Sequence, residues 1–292
     1  MVKSNLFFWK KEDSLRGQWA LITGGSQGLG RALAEECARR GMNLLLVALP
    51  GSGLGDTARE LAERYDVWTE CYETDLTQPG SVEGLVHWVR SGGWQITCLL
   101  NNAGWGYNRR FEDSTVPENE TCILLNNLAL VKLTHMLLTE LKRVKRAHLL
   151  NVASLAAFFP MPYMPVYAPS KAFIVNFSLA LRAELAGTPV KVSVLCPNGI
   201  ATNAKTRAMI ASGGWAARLT CQQPEEVAAY AVEHMLRGRG VIIPGWMNRV
   251  LAGVSRIAPR GLITRVVSMY WGRTARMGLG NFSAGSAQAT AH

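Results

Sequence analysis

The sequence predicts an α/β fold, a doubly wound parallel sheet in one domain carrying a C-terminal helical extension. Three observations lead there. Strand-like apolar runs at 18–22, 43–49, 67–73, 96–101, 148–153, 190–196 and 241–244 alternate with helical stretches, the pattern of βαβ units. The first run ends in a glycine-rich turn, Thr23-Gly24-Gly25-Ser26-Gln27-Gly28-Leu29-Gly30, that opens an amphipathic helix. A chain of 292 residues, 48% apolar, can bury one large core, and no linker, repeat or low-complexity stretch interrupts it before the tail. The expected division is residues 1–245 for the sheet domain with its site, 246–277 for a basic amphipathic extension and 278–292 for a disordered tail.

Strand, tight turn and helix in that order suit a dinucleotide. Glycines let the backbone approach the pyrophosphate, and the helix N-terminus offers free N–H groups and the positive end of its dipole. The segment Gly24-Gly25-Ser26-Gln27-Gly28 also fits the nucleophile elbow of an α/β-hydrolase, with Ser26 as nucleophile. That reading needs a late histidine; only His234 qualifies, on what reads as an ordinary surface helix, and Tyr167 and Lys171 are left idle. Those two residues, four apart, fall on one helical face, thirteen residues after Ser154. A cation within about 4–6 Å lowers a phenol's pKa by roughly 1–3 units, so Lys171 is expected to draw Tyr167 down from its usual ~10.

These residues resemble the short-chain dehydrogenase/reductase family, a Rossmann fold, over about 18–245. The resemblance rests on the glycine turn, Asp75-Leu76, Asn101-Asn102-Ala103-Gly104, Asn126, Ser154, Tyr167-x-x-x-Lys171, Pro197 and Thr202, in that order. The text around Ser154 and Lys171 is similar to the broad-specificity bacterial reductases and the ketoacyl and steroid reductases. The resemblance implies an NAD(P)-dependent oxidoreductase in which Tyr167 exchanges a proton with a carbonyl or alcohol oxygen while hydride moves to or from its carbon. Ser154 would orient that oxygen, Lys171 would bond the nicotinamide ribose, and Asn126 would kink its helix to hold a water behind Lys171. Asn126 is taken over its neighbour Asn127 because Leu128-Ala129 and Leu133-Thr134 then fall in register with the family. The cofactor would be held by Thr23, Gly24, Ser26, Gln27, Gly28, Leu29, Gly30, Asp75, Leu76, Asn102, Ala103, Gly104, Tyr167, Lys171, Pro197, Gly199, Ile200 and Thr202. Asp75 would reach the adenine amino group, and Asn101 and Asn102 would tie the central sheet.

Two departures from the family pattern stand out. Asn198 replaces the usual glycine after Pro197, and asparagine tolerates the left-handed geometry that turn needs. Strand two ends Val47-Ala48-Leu49-Pro50-Gly51-Ser52-Gly53, with neither an acid for a ribose 2′-hydroxyl nor an arginine for a 2′-phosphate. NADP and NAD both stay open; the missing acid and the Ser52 hydroxyl favour NADP. A non-catalytic redox sensor or scaffold on the same fold is the other class of reading.

The substrate side reads as apolar. Phe158, Phe159, Met161, Tyr163 and Met164 follow Ser154, while Trp105 and Tyr107 follow the strand-four motif, and a hydrophobic carbonyl or alcohol suits such a pocket. Lys205 and Arg207, in the expected lid, read as solvent-facing charges. The run 147–170 lacks Asp, Glu, Lys and Arg, but Pro160, Pro162, Pro165 and Pro169 argue against a spanning helix. Residues 1–13 show no secretory signal, and six scattered cysteines suit a reducing cytoplasm with no metal site. The net charge of +10 gathers late: no acidic residue follows Glu233, whereas eight arginines do. With Pro259 dividing them, two basic amphipathic helices follow residue 245. They fit either a membrane interface or packing on the sheet or a second subunit, dimers and tetramers being the family's habit; no nucleic-acid motif accompanies the charge.

Overall fold

The computed structural model describes residues 15–200, 222–276 and 281–284. Seven parallel strands form the central sheet: β1 (Trp19–Thr23), β2 (Asn43–Ala48), β3 (Thr69–Glu73), β4 (Ile96–Asn101), β6 (Ala147–Val152), β7 (Val190–Leu195) and β8 (Val241–Ile242). Their order is β3-β2-β1-β4-β6-β7-β8. The chain winds outward from β1 to β3, then returns to the other side of β1 with β4. That reversal opens a crevice at the carboxyl ends of β1 and β4, where doubly wound sheets bind their ligands.

Helices cover both faces because the inner strands are apolar on both sides. All six residues of β2, β4 and β6 are buried. On one face α1 (Gly28–Arg39) and α2 (Leu54–Tyr65) pack with α7 (Pro224–Leu236), Leu33 and Cys37 joining Leu61, Ala231 and Met235 in one core. On the other, α3 (Ser81–Ser91) and α5 (Leu130–Lys142) lay Leu85, Val89, Leu133 and Leu137 against Leu21, Leu45 and Leu99. Alongside, α6 (Tyr167–Glu184) sets Ile174 and Val175 against Val194.

The helix before α5 is wound in an unusual way. From α4 (Val116–Ile123), which starts on a Thr115–Glu118 capping box, the chain passes through six residues of π-helix, Leu124–Ala129, into α5. The whole run Val116–Lys142 is long and apolar enough to cross a membrane by length and composition. Its α5 residues Leu133, Leu137 and Leu141 are spent on the core instead.

Past β8, α8 (Trp246–Ile257) and α9 (Arg260–Arg276) follow in succession, parted at Pro259. The tail expected to be disordered contains a strand, β9 (Asn281–Ala284), antiparallel to the short β5 (Gly104–Tyr107). Open backbone edges pair when another extended segment reaches them, and composition does not reveal that.

Candidate active site

The crevice is built from backbone upward. Thr23, at the end of β1, accepts hydrogen bonds at Oγ1 from the amides of Asn102 and Ala103, both at 3.0 Å. Asn102 returns the contact, donating Nδ2 to Thr23 O at 2.9 Å and to Gly24 O at 3.3 Å. The glycine turn and the strand-four turn are thereby locked together. Gly30 is obligatory: a Cβ there would lie 1.8 Å from Gly24 O, a backbone atom that cannot step aside. The α1 N-cap, Gln27, makes no side-chain cap, an arrangement that suits an anion at the helix N-terminus.

The next strands hold the catalytic candidates in place by a buried polar chain. Asn101 donates Nδ2 to Thr134 Oγ1 and to Asn151 Oδ1, both 2.9 Å away, and Asn151 donates to Ser178 Oγ at 3.0 Å. These bonds join β4, β6, α5 and α6. The π-helical segment turns Asn126, 1% exposed, toward β5. There Oδ1 accepts from the Trp105 amide and Nδ2 donates to the Trp105 carbonyl, each at 2.9 Å, as a strand neighbour would. Nδ2 also reaches Ser170 Oγ at 3.0 Å, while the adjacent Asn127 bonds the Ser170 carbonyl instead. A π-bulge at this point shifts the helical register so that Asn126 rather than its neighbour faces inward.

Ser154, Tyr167 and Lys171 converge from two elements. Ser154 ends the loop after β6 and caps a short 3₁₀ turn, Leu155–Phe158, through the Ala156 amide at 3.1 Å. Its hydroxyl lies close enough to that of Tyr167 to favour the phenolate. Tyr167 opens α6 and Lys171 lies one turn on, its Nζ 5.7 Å from the Tyr167 ring centroid. A Cβ at Gly104 would sit 3.0 Å from both Lys171 Nζ and Asn126 Oδ1, which shows how closely the three groups crowd. Gly106 is likewise required by the Tyr167 ring, which a Cβ there would strike at 2.2 Å.

The electrostatics correct the expectation that Lys171 lowers the Tyr167 pKa. Burial pushes the Tyr167 phenol up to about 12, opposed only in part by the Ser154 hydroxyl. Burial also draws the Lys171 ammonium down to about 8. Nζ donates to Val152 O at 3.1 Å and lies 5.7 Å from the Tyr167 ring centroid, and for both groups the cost of desolvation is the largest cause of the shift.

Other expected residues fall in different places. Asp75 is engaged locally, accepting from the Thr77 amide at 2.9 Å, the Thr77 hydroxyl at 2.7 Å and Gln78. Leu76 packs against the core cluster below β1 and β4. Pro197 O accepts from the Leu155 amide at 2.7 Å, holding the Ser154 loop, and Gly199 and Ile200 pair with Gln222. Thr202, Lys205 and Arg207 lie outside the described residues. Tyr107, expected to border the pocket, is fully buried and bonds Asn119, so it is a core residue. Phe158 and Phe159 do line a cavity of about 300 Å³, together with Ala168, Ala172, Arg260 and Ile263. Ser154, Tyr167 and Lys171 are not among its lining residues, so it flanks the catalytic cluster. Among the described residues no hydrogen bond joins Ser26 to a histidine; His234 bonds Tyr230 O and stacks on that ring.

Ser170 and Cys122, which hold Asn126, escaped the sequence reading, as did the role of Asn198. Asn198 Nδ2 donates to Asn248 Oδ1 at 3.2 Å, and Asn248 donates to Pro244 O at 2.9 Å, pinning α8 to the loop after β7. A partner fifty residues away leaves no local signal.

A family model described as short chain dehydrogenase matches residues 18–211. The chain belongs to that family, oxidoreductases of alcohol and carbonyl groups. It is 30% identical over 190 residues to the very-long-chain 3-oxoacyl-CoA reductase of Bos taurus, a match covering 64% of this chain and 60% of that one. The chain thus spans about 60% of the length of the curated relatives it first matches. A short-chain dehydrogenase from Sphingobium yanoikuyae, solved in complex with NADPH, is 27% identical with a TM-score of 0.69, over 94% of this chain and 98% of the other. A 7β-hydroxysteroid dehydrogenase superposes with a TM-score of 0.78 over 87% of this chain and 98% of its own, a likeness of fold at 24% identity.

Proposed function

We propose that this chain interconverts a hydrophobic carbonyl compound and its alcohol using NAD(P), with Tyr167 as general acid and base. The observation that carries the reading is the convergence of Ser154, Tyr167, Lys171 and Asn126 on the crevice where the first turn of α1 offers uncapped amides. When bound, the nicotinamide supplies or accepts the hydride. In reduction the Ser154 hydroxyl orients the carbonyl oxygen and Tyr167 donates its proton there, so C=O becomes C–OH and the tyrosine is left as phenolate. Lys171, a cation below about pH 8, faces that developing charge across the ring. Asn126 positions the β5 backbone on which both rest.

The cofactor fits the residues present. Thr23 to Gly30 supply a glycine turn, the α1 amides a place for the pyrophosphate, and Ser52, in the turn between β2 and α2, a buried hydroxyl with no hydrogen-bond partner among the described residues. That hydroxyl, with no acid beside it on the strand, supports NADP over NAD. The substrate reading follows from the apolar wall of Phe158, Phe159 and Ile263 and from relatives that act on long acyl chains. Consumption of NADPH with a panel of hydrophobic ketones tests the proposal. Tyr167→Phe should keep the fold and the cofactor affinity while turnover falls by about 10²–10⁴-fold. Full activity in that variant would overturn the assignment.

A further inference from the structure

The two C-terminal helices turn an apolar face toward solvent. In α8 the polar and small residues Asn248 and Ala252 point inward, 1% and 3% exposed, with Asn248 bonded to the loop after β7. The outward residues are Trp246, Val250, Val254 and Ile257, the last 87% exposed. Those positions are spaced by four, four and three, one continuous helical face. After Pro259 the pattern repeats: Ile263 is buried in α9 while Leu262, Val266 and Met269 are exposed, again four and three apart. A contiguous apolar surface of this kind signals a partner.

Charge identifies the partner. Residues 246–276 hold six arginines and no acidic residue, and Arg249 and Arg265 are exposed beside the apolar stripes. A second copy is a poor match, because a twofold contact through this face would press each cluster of arginines against its own image with no carboxylate to pair with. An apolar face rimmed by cations is complementary to a surface that is apolar inside and anionic outside. We propose that α8 and α9 lie in the interface of an anionic lipid membrane, with Trp246, Val254, Ile257, Leu262 and Met269 among the acyl chains and the arginines on the headgroups. The inference is independent of the catalytic reading.

Flotation of the full chain with phosphatidylcholine vesicles, with and without phosphatidylglycerol, tests it. The expected result is co-flotation with phosphatidylglycerol vesicles at low salt, release as salt rises, and no flotation with phosphatidylcholine alone. Replacing Arg265 by Gln should weaken partitioning about fivefold, the share of one arginine at an anionic surface. The double variant Val254→Asp/Ile257→Asp should lose flotation yet keep the parent's thermal midpoint, since both side chains already face solvent. Four results overturn the proposal: a protein that stays at the bottom with anionic vesicles at low salt, a double variant that floats like the parent, a solution dimer that the double variant dissociates, or saturable binding of an acidic polypeptide in place of vesicles.

Discussion

Lys171 gives the sharpest test of the site, because its charge is held where burial opposes it. In the folded protein its ammonium titrates at about 8, against 10.5 for an ordinary lysine. Between those values the unfolded chain binds the proton that the folded chain has released, so stability rises with pH across that window; below about pH 8 the full cost of the buried charge is present. The gap corresponds to about 2–3 kcal/mol gained between pH 7 and pH 10. In Lys171→Met that gain disappears. The variant also leaves Val152 O without its donor, at a cost of about 1–3 kcal/mol, but this penalty does not change with pH. Urea unfolding of both proteins at several pH values separates the two effects, because only the slope of the difference reports the lysine. Wild type should gain on the variant by about 2–3 kcal/mol over the window. Parallel curves would refute the buried, depressed ammonium and with it the placement of Nζ beside Val152 O and Gly104.

Three further outcomes follow from the same geometry. With the Tyr167 phenol at about 12, alcohol oxidation should keep rising through the alkaline range as phenolate forms, whereas ketone reduction should fall through about pH 8 as Lys171 discharges; kcat/KM profiles in both directions check this. In Gly30→Ala the new Cβ meets Gly24 O, so the turn must open, with a loss of at least about 2 kcal/mol in stability and no measurable NADPH binding by titration. NADPH should bind more tightly than NADH by a modest factor, and Ser52→Ala should narrow the difference; a hundredfold preference for NADH would contradict the reading of β2.

The parallel α/β sheet, the glycine turn and the pairing of Tyr167 with Lys171 were legible because they depend on local pattern: apolar runs, glycines between strand and helix, and two residues one helical turn apart. Composition and spacing also pointed to a basic, amphipathic C-terminus. Tertiary structure decided what local pattern cannot carry. The Tyr167 phenol is raised rather than lowered because desolvation depends on everything packed around it, and the sequence shows only that a lysine stands nearby. Asn126 faces inward because six residues adopt π-helix, a register shift that hydrophobic periodicity does not encode. Tyr107 is core rather than pocket since its hydroxyl finds Asn119. Which face of α8 turns outward was settled by the bond between Asn198 and Asn248, fifty residues apart, and that contact leaves Trp246, Val254 and Ile257 facing solvent. Periodicity along a chain determines which residues share a face, whereas burial, charge balance and the direction of that face are set by partners distant in sequence.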